Sequence, residues 1–322
     1  MQQPPTDVYR VGTDPSSTIL PRRVKIERFG VELGPLGHLA AERQRLSAPE
    51  FEHINVRPRG ATLGAEVTGL RLSGQLGSDV VAEVRRALLD YKVLVFPNQA
   101  ITADEHVGFA RCFGELEIHP FLPGSADNPE LVRFAKGADT GGFENGWHHD
   151  VTWRACPSMG AILRAIEVPP TGGDTLFADM AAAYEGLDEE TRSVIDSLEA
   201  AHDYLLAFGN VVPDDKKAEM REQYPVVHHP VVRTHPETGR RSLFVNAYFT
   251  SHIIGMDDEN GNQLLRRLFA QAAICEYQYR VSWEADQVVF WDNRAVQHYA
   301  ASDYFPDIRV MERASIVGDR PS

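Results

Sequence analysis

Apolar and polar residues alternate over short segments along most of this chain, which is the spacing of strands rather than of long helices. Strands are predicted at four segments, residues 63–70, 93–97, 287–291 and 309–317. Helical spacing predicts three helices, at residues 80–89, 189–198 and 260–273. A fourth helix begins at Thr102, where Glu105 completes a capping box, and closes at Gly114. Strands outnumber helices and show no regular strand–helix alternation, which favours a mainly β fold, a sandwich or jelly roll with helices packed outside.

The first 52 residues differ from the rest in being rich in Pro, Arg and Gly, and they contain the basic run Arg22-Arg23-Val24-Lys25. We expect residues 1–52 to be an N-terminal extension, partly ordered at best, that packs on the domain or on a partner subunit. The simpler alternative is a solvated arm with no role in chemistry. Residues 53–322 are expected to form one domain.

Composition narrows the functional class. A hydrophobic content of 43% and a charged content of 24% are ordinary for a soluble globular protein. The net charge of -14 argues against nonspecific binding to nucleic acid or to an anionic membrane. The chain shows neither a signal-peptide pattern nor an apolar run of membrane length, so we expect a cytoplasmic protein. Its three cysteines match no zinc motif and no disulfide framework, and we expect reduced thiols.

Three residues have the pattern of a metal site: His148 and Asp150 in an H-x-D pair, and His298 far downstream. Two histidines and one carboxylate bind ferrous iron and leave coordination positions open for oxygen chemistry. If residues 147–153 form a strand, His148 and Asp150 share one face and His149 points away to a structural position. The motif alone is weak in a chain with 12 histidines, because a strand histidine is more often a hydrogen-bonded structural residue.

Two arginines four residues apart on the last predicted strand, Arg309 and Arg313, share one face of it. Facing the interior, they would need anionic partners, and a planar guanidinium suits a carboxylate or sulfonate. The alternative is a solvated edge strand. Three other histidines have no partner at metal-ligand spacing and are expected to be structural, namely His228, His229 and His235.

Three segments together resemble the taurine dioxygenase (TauD/TfdA) family of iron(II)- and 2-oxoglutarate-dependent oxygenases. They run from Trp147 to Thr152, from Thr171 to Leu176, and from Phe290 to His298. Arg309 and Arg313, eleven and fifteen residues after His298, and the closing Gly318-Asp319 extend the likeness, which covers roughly residues 54–322. The resemblance implies a double-stranded β-helix core, that is, a cupin-like jelly roll.

The resemblance also implies roles for individual residues. His148, Asp150 and His298 would bind Fe(II), and Arg309 and Thr175 would hold 2-oxoglutarate. A substrate anion would be held by a second set of groups: His119, Arg313 and the amide of Val151. Although the loop at residues 141–145 differs from the family's segment, we expect Asn145, or Glu144 beside it, to be within reach of an amine on the substrate.

The chain departs from the family pattern at three places. The usual W-H-T-D is W-H-H-D here, Leu122 replaces a tyrosine near the iron, and the loop at residues 141–145 differs. These departures argue against taurine itself. We expect a small organic anion such as a sulfonate, an alkyl sulfate or an aryloxy carboxylate.

The implied reaction uses O2 to convert 2-oxoglutarate to succinate and CO2 while a substrate C–H bond is hydroxylated. Within the same class, the alternative is a biosynthetic oxygenase of a specialised metabolite. From other classes, a zinc hydrolase would leave Arg309 and Thr175 without a role, and a non-catalytic binding module would not need the intact triad. The family further implies a homo-oligomer, a dimer or tetramer, with a small anion as its partner.

Overall fold

The computed structural model of the protein describes residues 24–26, 31–33, 36–73, 75–122, 124–137, 145–210 and 212–322, the first two segments by their backbone alone. Two sequence features lie outside these residues. They are Arg22-Arg23 of the basic run and residues 141–144 of the divergent loop.

Seventeen strands occur in the described part of the chain: β1 (Val24–Ile26), β2 (Val31–Leu33), β3 (Asn55–Pro58), β4 (Ala65–Thr68), β5 (Val93–Phe96), β6 (Leu131–Lys136), β7 (Gly160–Glu167), β8 (Thr175–Asp179), β9 (Glu199–His202), β10 (Val227–Pro230), β11 (Val232–Thr234), β12 (Arg241–Leu243), β13 (Thr250–Ile253), β14 (Gln278–Val281), β15 (Val288–Asp292), β16 (Val296–Ala300) and β17 (Arg309–Ile316).

Eight α-helices accompany them in the same residues: α1 (Leu39–Leu46), α2 (Ser78–Tyr91), α3 (Ala103–Arg111), α4 (Met180–Glu185), α5 (Glu189–Ile195), α6 (Leu205–Phe208), α7 (Lys217–Gln223) and α8 (Asp258–Phe269). Three short 3-10 helices are also present, at Asp214–Lys216, Ala270–Ala273 and Cys275–Tyr277.

The largest sheet has seven strands in the order β3-β4-β5-β15-β7-β17-β6, antiparallel except for the parallel β4–β5 pair. A second sheet, β14-β8-β16, is antiparallel throughout. Apolar side chains of both sheets form one buried cluster, in which Phe177 of β8 and Val296 of β16 join Trp291 and Met311 of the large sheet. The two sheets are therefore the layers of a β-sandwich, and the expected jelly-roll fold is confirmed.

Helices α2 and α3 cover the outer face of the large sheet. Their apolar residues join Phe96 of β5 and Phe290 of β15 in a separate buried cluster, where the Phe109 ring packs edge-on against both of these rings. Each core strand thus has a buried side chain on both faces, which explains the continuous apolar runs at residues 93–97 and 287–291. No helix among the described residues has the length and apolar character needed to cross a membrane.

The four strands and four helices predicted from hydrophobic spacing and the capping box are confirmed, with changes at their ends. The capping box of α3 is present, since Thr102 Oγ1 accepts from Glu105 N–H and the Glu105 carboxylate accepts from Thr102 N–H. Helix α5 ends at Ile195, earlier than predicted, because the chain turns there and enters β9. Helix α8 starts two residues earlier than predicted, since Asp257 caps it by accepting from Asn260 N–H.

Residues 36–46 pack on the β-sandwich and do not form a solvated arm. Leu36 and Leu39 are buried in one apolar cluster and Leu46 in another. Glu42 of α1 is buried as well, and its carboxylate accepts from Lys92 Nζ at 3.0 Å. This part of the N-terminal extension therefore has an ordered position on the domain.

Candidate active site

His148, Asp150 and His298 lie together between the two sheets, all buried, with one ligand atom of each within 4.8 Å of the others. His298 is on β16, and backbone hydrogen bonds of 2.9 and 3.0 Å join it to His148. Asp150 Oδ2 lies 3.9 Å from His298 Nε2, and Asp150 Oδ1 lies 4.0 Å from His148 Nε2. The predicted metal-ligand triad is thus assembled in space.

The chemistry of these atoms fits a divalent metal ion. His148 Nδ1 lies 2.8 Å from the carbonyl oxygen of Gly146, which can only accept, so Nδ1 carries the proton and Nε2 keeps its lone pair. Asp150 Oδ2 is buried and accepts no hydrogen bond within the described structure. Burial raises the pKa of Asp150, but Arg313 and the two histidines outweigh it and hold that pKa at about 2. The carboxylate is therefore charged and available as a ligand.

The predicted strand at residues 147–153 is wrong. Only His148 makes a β-bridge, and the chain then turns through Asp150 and Val151. Val151 has a φ of 47°, a left-handed conformation that β-branched residues rarely adopt. The backbone N–H of Asp150 donates to Asn293 Oδ1 at 2.7 Å instead of to a neighbouring strand. The hydrogen bonds expected between neighbouring strands are therefore replaced by one to a side chain that is distant in the sequence, which the local sequence could not predict.

A cavity, here called the Arg309 chamber, opens on one side of the triad and includes Thr175, Arg309 and His298 in its wall. Arg309 Nη2 donates to Thr175 Oγ1 at 3.3 Å, and Trp283 Nε1 donates to the same oxygen at 3.0 Å. The guanidinium also lies 5.7 Å from the Trp283 ring centre. Arg309 and Thr175 are therefore together, as expected, and Trp283 is a contributor that sequence reasoning missed.

A second cavity, here called the His119 chamber, includes His119, Val151 and Arg313 in its wall. Arg313 Nη1 donates to Asp150 Oδ1 at 2.9 Å, and its guanidinium lies 5.0 Å from the Phe134 ring centre. Both arginines of β17 are buried, so the solvated-edge alternative is wrong. The remaining wall is mainly apolar or aromatic: Leu122, Phe134, Ala207, Phe208, Tyr248 and Phe249.

His119 presents a neutral N–H donor to its chamber. Its Nδ1 accepts from the backbone N–H groups of Phe121 at 3.2 Å and Leu122 at 3.1 Å, so the ring proton resides on Nε2. Burial, followed by the nearby Arg313 and Arg154, lowers the pKa of His119 to about 3. The ring therefore stays uncharged at neutral pH, and Arg313 is the cation of this chamber.

Asn145 does not reach either chamber. Its side chain is exposed, because the chain is at the surface at this point and enters the interior only at His148. It is absent from the described residues that line the two cavities, so the expected contact of Asn145 with a substrate amine is not supported. Glu144, the alternative at this position, lies outside the described residues.

The other histidines hold structural positions. His149 is fully buried against the Phe244 ring, whose centre is 4.8 Å away. His229 Nε2 lies 2.9 Å from the carbonyl oxygen of Arg154, and His235 Nε2 lies 2.9 Å from Asp292 Oδ2. His228 lies on β10.

Sequence reasoning also missed Tyr248. Its ring stacks on the His148 ring at 4.6 Å between centres and lines the His119 chamber. A Cβ at Gly146 would overlap the Tyr248 ring, so this glycine permits the approach. Tyr248 lies in a loop, where neither periodicity nor a recognisable motif marks it.

A model of the family described as "Taurine catabolism dioxygenase TauD, TfdA family" matches residues 55–315. The chain belongs to this family. It is 34% identical to the alpha-ketoglutarate-dependent sulfate ester dioxygenase of Pseudomonas putida, over 85% of this chain and 93% of the relative. It is 33% identical to the (S)-phenoxypropionate/alpha-ketoglutarate-dioxygenase of Sphingobium herbicidovorans, over 85% and 98%.

Solved structures agree with these relatives. A taurine dioxygenase from Burkholderia xenovorans superposes with a TM-score of 0.73 at 35% identity, over 84% of this chain and 93% of that chain. AAD-2, solved in complex with Mn(II) and N-oxalylglycine, superposes with a TM-score of 0.71 at 32% identity, over 83% and 98%.

TauD/TfdA dioxygenases use Fe(II), 2-oxoglutarate and O2, and the predicted family, enzyme class and cofactors are therefore confirmed. The protein is an Fe(II)- and 2-oxoglutarate-dependent dioxygenase, so the zinc-hydrolase and binding-module alternatives are set aside. The expected reduced state also agrees with the structure, in which Cys112, Cys156 and Cys275 are free thiols.

Proposed function

We propose that this TauD/TfdA dioxygenase hydroxylates an organic anion with an apolar alkyl or aryl tail, and that its two chambers separate the cosubstrate from the substrate. The Arg309 chamber would take 2-oxoglutarate and the His119 chamber the substrate. The observation that carries this proposal is that Arg309 lines only the first cavity, whereas Arg313 also lines the second together with His119, and both cavities adjoin the same His148–Asp150–His298 triad.

His148, Asp150 and His298 would hold the iron, with the charged Asp150 offsetting part of its charge. Bound Fe(II) supplies the open coordination positions at which O2 is used while 2-oxoglutarate becomes succinate and CO2 and a substrate C–H bond is hydroxylated. Arg309 would bind the distal carboxylate of 2-oxoglutarate. Thr175 and Trp283 fix the guanidinium from the side, so that little rotamer entropy is lost on binding.

In the His119 chamber, Arg313 would bind the anionic group of the substrate, with the Nε2–H of His119 and the backbone N–H of Val151 as further donors. The aromatic walls from Phe208, Tyr248 and Phe249 would exclude water and bury the tail. Holding the anion and the tail at two ends places one C–H bond toward the triad, and this positioning is what the chain contributes to the choice of reacting carbon.

The apolar tail of the substrate is inferred from the residues that line the His119 chamber. Asp150 is the one carboxylate among the described residues of its wall. It accepts a hydrogen bond from Arg313 and would also bind the metal. The ammonium group of taurine would therefore lack an anionic partner, whereas an alkyl or aryl group finds Leu122, Phe134 and Phe208. The sulfate ester and phenoxypropionate dioxygenases among the relatives support this substrate class, as does the alkylsulfatase of Acinetobacter baylyi, which is 35% identical over 83% of this chain and 86% of that relative.

The test is succinate formation from 2-oxoglutarate with Fe(II), ascorbate and air. It would be measured with a medium-chain alkyl sulfate, an aryloxy carboxylate, an alkyl sulfonate and taurine. We expect one of the tailed anions to stimulate succinate formation far more than taurine. Arg313→Gln should lose this stimulation, while Arg111→Gln, a matched change at an exposed arginine paired with Glu130, should retain it.

A preference for taurine would contradict the proposed substrate class. The same holds if none of these anions stimulates turnover, a result that would favour the biosynthetic alternative.

Assembly as a homo-oligomer, a cytoplasmic location and a domain spanning residues 53–322 remain predictions. The family match from residue 55 and the packing of α1 on the sandwich bear on the last of these. Light scattering of the purified protein would test the first.

A further inference from the structure

Asn293 is a fully buried amide in the turn between β15 and β16 that binds the backbone on both sides of the Asp150 side chain. Its Oδ1 accepts from Asp150 N–H at 2.7 Å, and its Nδ2 donates to the Asp150 carbonyl oxygen at 3.1 Å. Nδ2 also donates to the carbonyl oxygen of Ser158 at 3.0 Å. Every hydrogen-bonding atom of this side chain is therefore used on the main chain.

The segment held in this way has no strand ladder of its own. Past the bridge at His148 it turns at Asp150, and Val151 follows in the left-handed region with a φ of 47°. Backbone strain of this kind persists only where the surroundings over-determine the conformation. The paired bonds from Asn293 provide such a constraint at the residue directly before Val151.

The turn that carries Asn293 is itself rigid. Asp292 accepts from Arg294 Nε at 2.8 Å and Nη2 at 2.7 Å, and it lies 2.9 Å from His235 Nε2. Asn293 N–H also donates to the carbonyl oxygen of Met159 at 2.9 Å. From this frame the chain runs into β16 and reaches His298 five residues later. One anchored turn is thus connected to two of the three triad residues, to His298 along the chain and to Asp150 through the amide.

We propose that Asn293 is a positioning residue that sets the distance and orientation of the Asp150 carboxylate relative to His298. This inference rests on the proposed role of the triad as the iron site. Asn293 touches neither chamber, so it would act only through the backbone of Asp150. Its loss should therefore weaken metal binding even without 2-oxoglutarate or substrate.

The chain offers a close control for this amide in Gln99. Gln99 is also buried, its Oε1 accepts one backbone N–H, from Leu72 at 2.8 Å, and its Nε2 donates to two carbonyl oxygens, those of Leu70 and Pro97. It lies in the loop after β5 and contributes to neither cavity. Asn293→Leu and Gln99→Met each replace an amide by an apolar side chain of similar shape and remove the side-chain partner of three main-chain groups.

The experiment is an anaerobic titration of the full metal-free chain with Co²⁺ alone, followed by the visible absorption of the bound ion, alongside urea unfolding of each variant. His298→Ala defines the signal that does not come from the triad. We expect both amide variants to lose stability, but only Asn293→Leu to lose Co²⁺ affinity, by about 10- to 100-fold, as for other residues that orient metal ligands. The band of its bound Co²⁺ should also change.

Equal Co²⁺ affinities for Asn293→Leu and wild type, within twofold, would overturn the inference, as would an equal loss in Gln99→Met. If Asn293→Leu does not fold, Asn293→Asp takes its place. It keeps the acceptor for Asp150 N–H but loses both donors, and an unchanged affinity in that variant overturns the inference in the same way. A wild-type chain that gives no more Co²⁺ signal than His298→Ala would instead refute the triad as the metal site.

Discussion

The two chambers beside the triad share Phe134, His148 and Arg313, but most of their other residues come from different kinds of secondary structure. In the Arg309 chamber, the groups that would bind ligand come from strands β8 and β17 and from Trp283, and they are fixed by hydrogen bonds to one another. In the His119 chamber, most of the wall comes from loops and the four-residue helix α6. Polar binding groups held on strands suit a cosubstrate that is the same throughout the family, and an apolar pocket on loops suits a substrate that differs between family members.

This difference has an energetic side. A bidentate pairing of Arg309 with a carboxylate is directional and contributes about 2–3 kcal/mol when buried. Apolar burial in the His119 chamber is non-directional and scales with area, at roughly 25 cal/mol per Å². The first chamber is therefore expected to discriminate sharply between ligands and the second to accept a graded series of tails.

The largest effect should come from a residue of the metal site, on which the use of both chambers depends. His298→Ala removes one of three metal ligands, and we expect metal affinity to fall by more than about 100-fold, the upper end for residues that only orient ligands. Succinate formation should be lost with and without substrate. His53→Ala, at an exposed histidine, is the control. Activity retained by His298→Ala at stoichiometric Fe(II) would contradict the role of His298 as a metal ligand.

A smaller effect, confined to one chamber, should follow from filling the His119 chamber. Ala207→Leu adds three carbons to its wall, and we expect KM for a long-tailed anion to rise about 10-fold because the tail loses its space. KM for 2-oxoglutarate should not change. Leu206→Ala alters the same helix at a side chain that is 54% exposed and should affect neither constant. A parallel rise in both KM values would mean that the cavities do not separate the two ligands.

Substrate binding should also weaken when the neutral N–H donor of His119 is removed. His119→Leu should raise substrate KM by about 10-fold, the value of one hydrogen bond to a charged group. His119→Gln, which keeps an N–H donor, should recover part of that loss. Because the pKa of His119 is only about 3, we expect wild-type substrate KM to show no titration step from this group between pH 8 and 5. Identical KM values for the two variants would place the substrate anion elsewhere.

No effect on catalysis is expected from replacing His106, a buried histidine outside both chambers, but the stability of the protein should change. Burial lowers the pKa of His106 to about 4, while its ring lies 3.0 Å from the Ile162 carbonyl oxygen. The unfolded chain, with an ordinary histidine pKa near 6.5, takes up a proton first as the pH falls. The stability contributed by neutral His106 is therefore complete above pH 6.5 and is lost toward pH 4, by about 2 kcal/mol at pH 5.

His106→Gln should reduce that loss in urea unfolding of the metal-free protein between pH 7 and 5, with no change in substrate KM. An unchanged slope of stability against pH in the variant would contradict the assignment of a neutral, buried ring to this position.

Much of the fold was predictable because the strands of the core repeat one local pattern. β5 and β15 are continuous apolar runs, and the Thr102–Glu105 box begins α3 as the sequence indicates. The triad was also predictable, since metal ligands must be particular residue types and the family motif gives their spacing. Arg309 and Arg313 followed from the period of a strand, which places both on one face.

What could not be predicted depends on contacts between distant segments. Val151 adopts a left-handed backbone conformation that is unusual for valine. The contact that holds the preceding residue, Asp150, comes from the amide of Asn293, which is 143 residues away and cannot be seen in the local sequence. Trp283 and Tyr248 lie in segments without periodicity, and their approach to Thr175 and His148 is a result of tertiary packing. Asn145 is also a case in which closeness to the triad in sequence does not mean closeness in space, since this residue is exposed.

The central claim, that Arg309 binds 2-oxoglutarate on one side of the metal site and Arg313 binds the substrate anion on the other, is tested most directly by anaerobic ligand binding to the two arginine variants. Kd values for 2-oxoglutarate and for a tailed anion would be measured in Fe(II)-loaded wild type, Arg309→Lys and Arg313→Lys. The two variants keep the positive charge but lose the planar guanidinium that forms two parallel hydrogen bonds with an anion. We expect Arg309→Lys to weaken only 2-oxoglutarate and Arg313→Lys only the anion, each by about 10- to 100-fold. Loss of both ligands in either variant, or an exchange of the two effects, would contradict the claim.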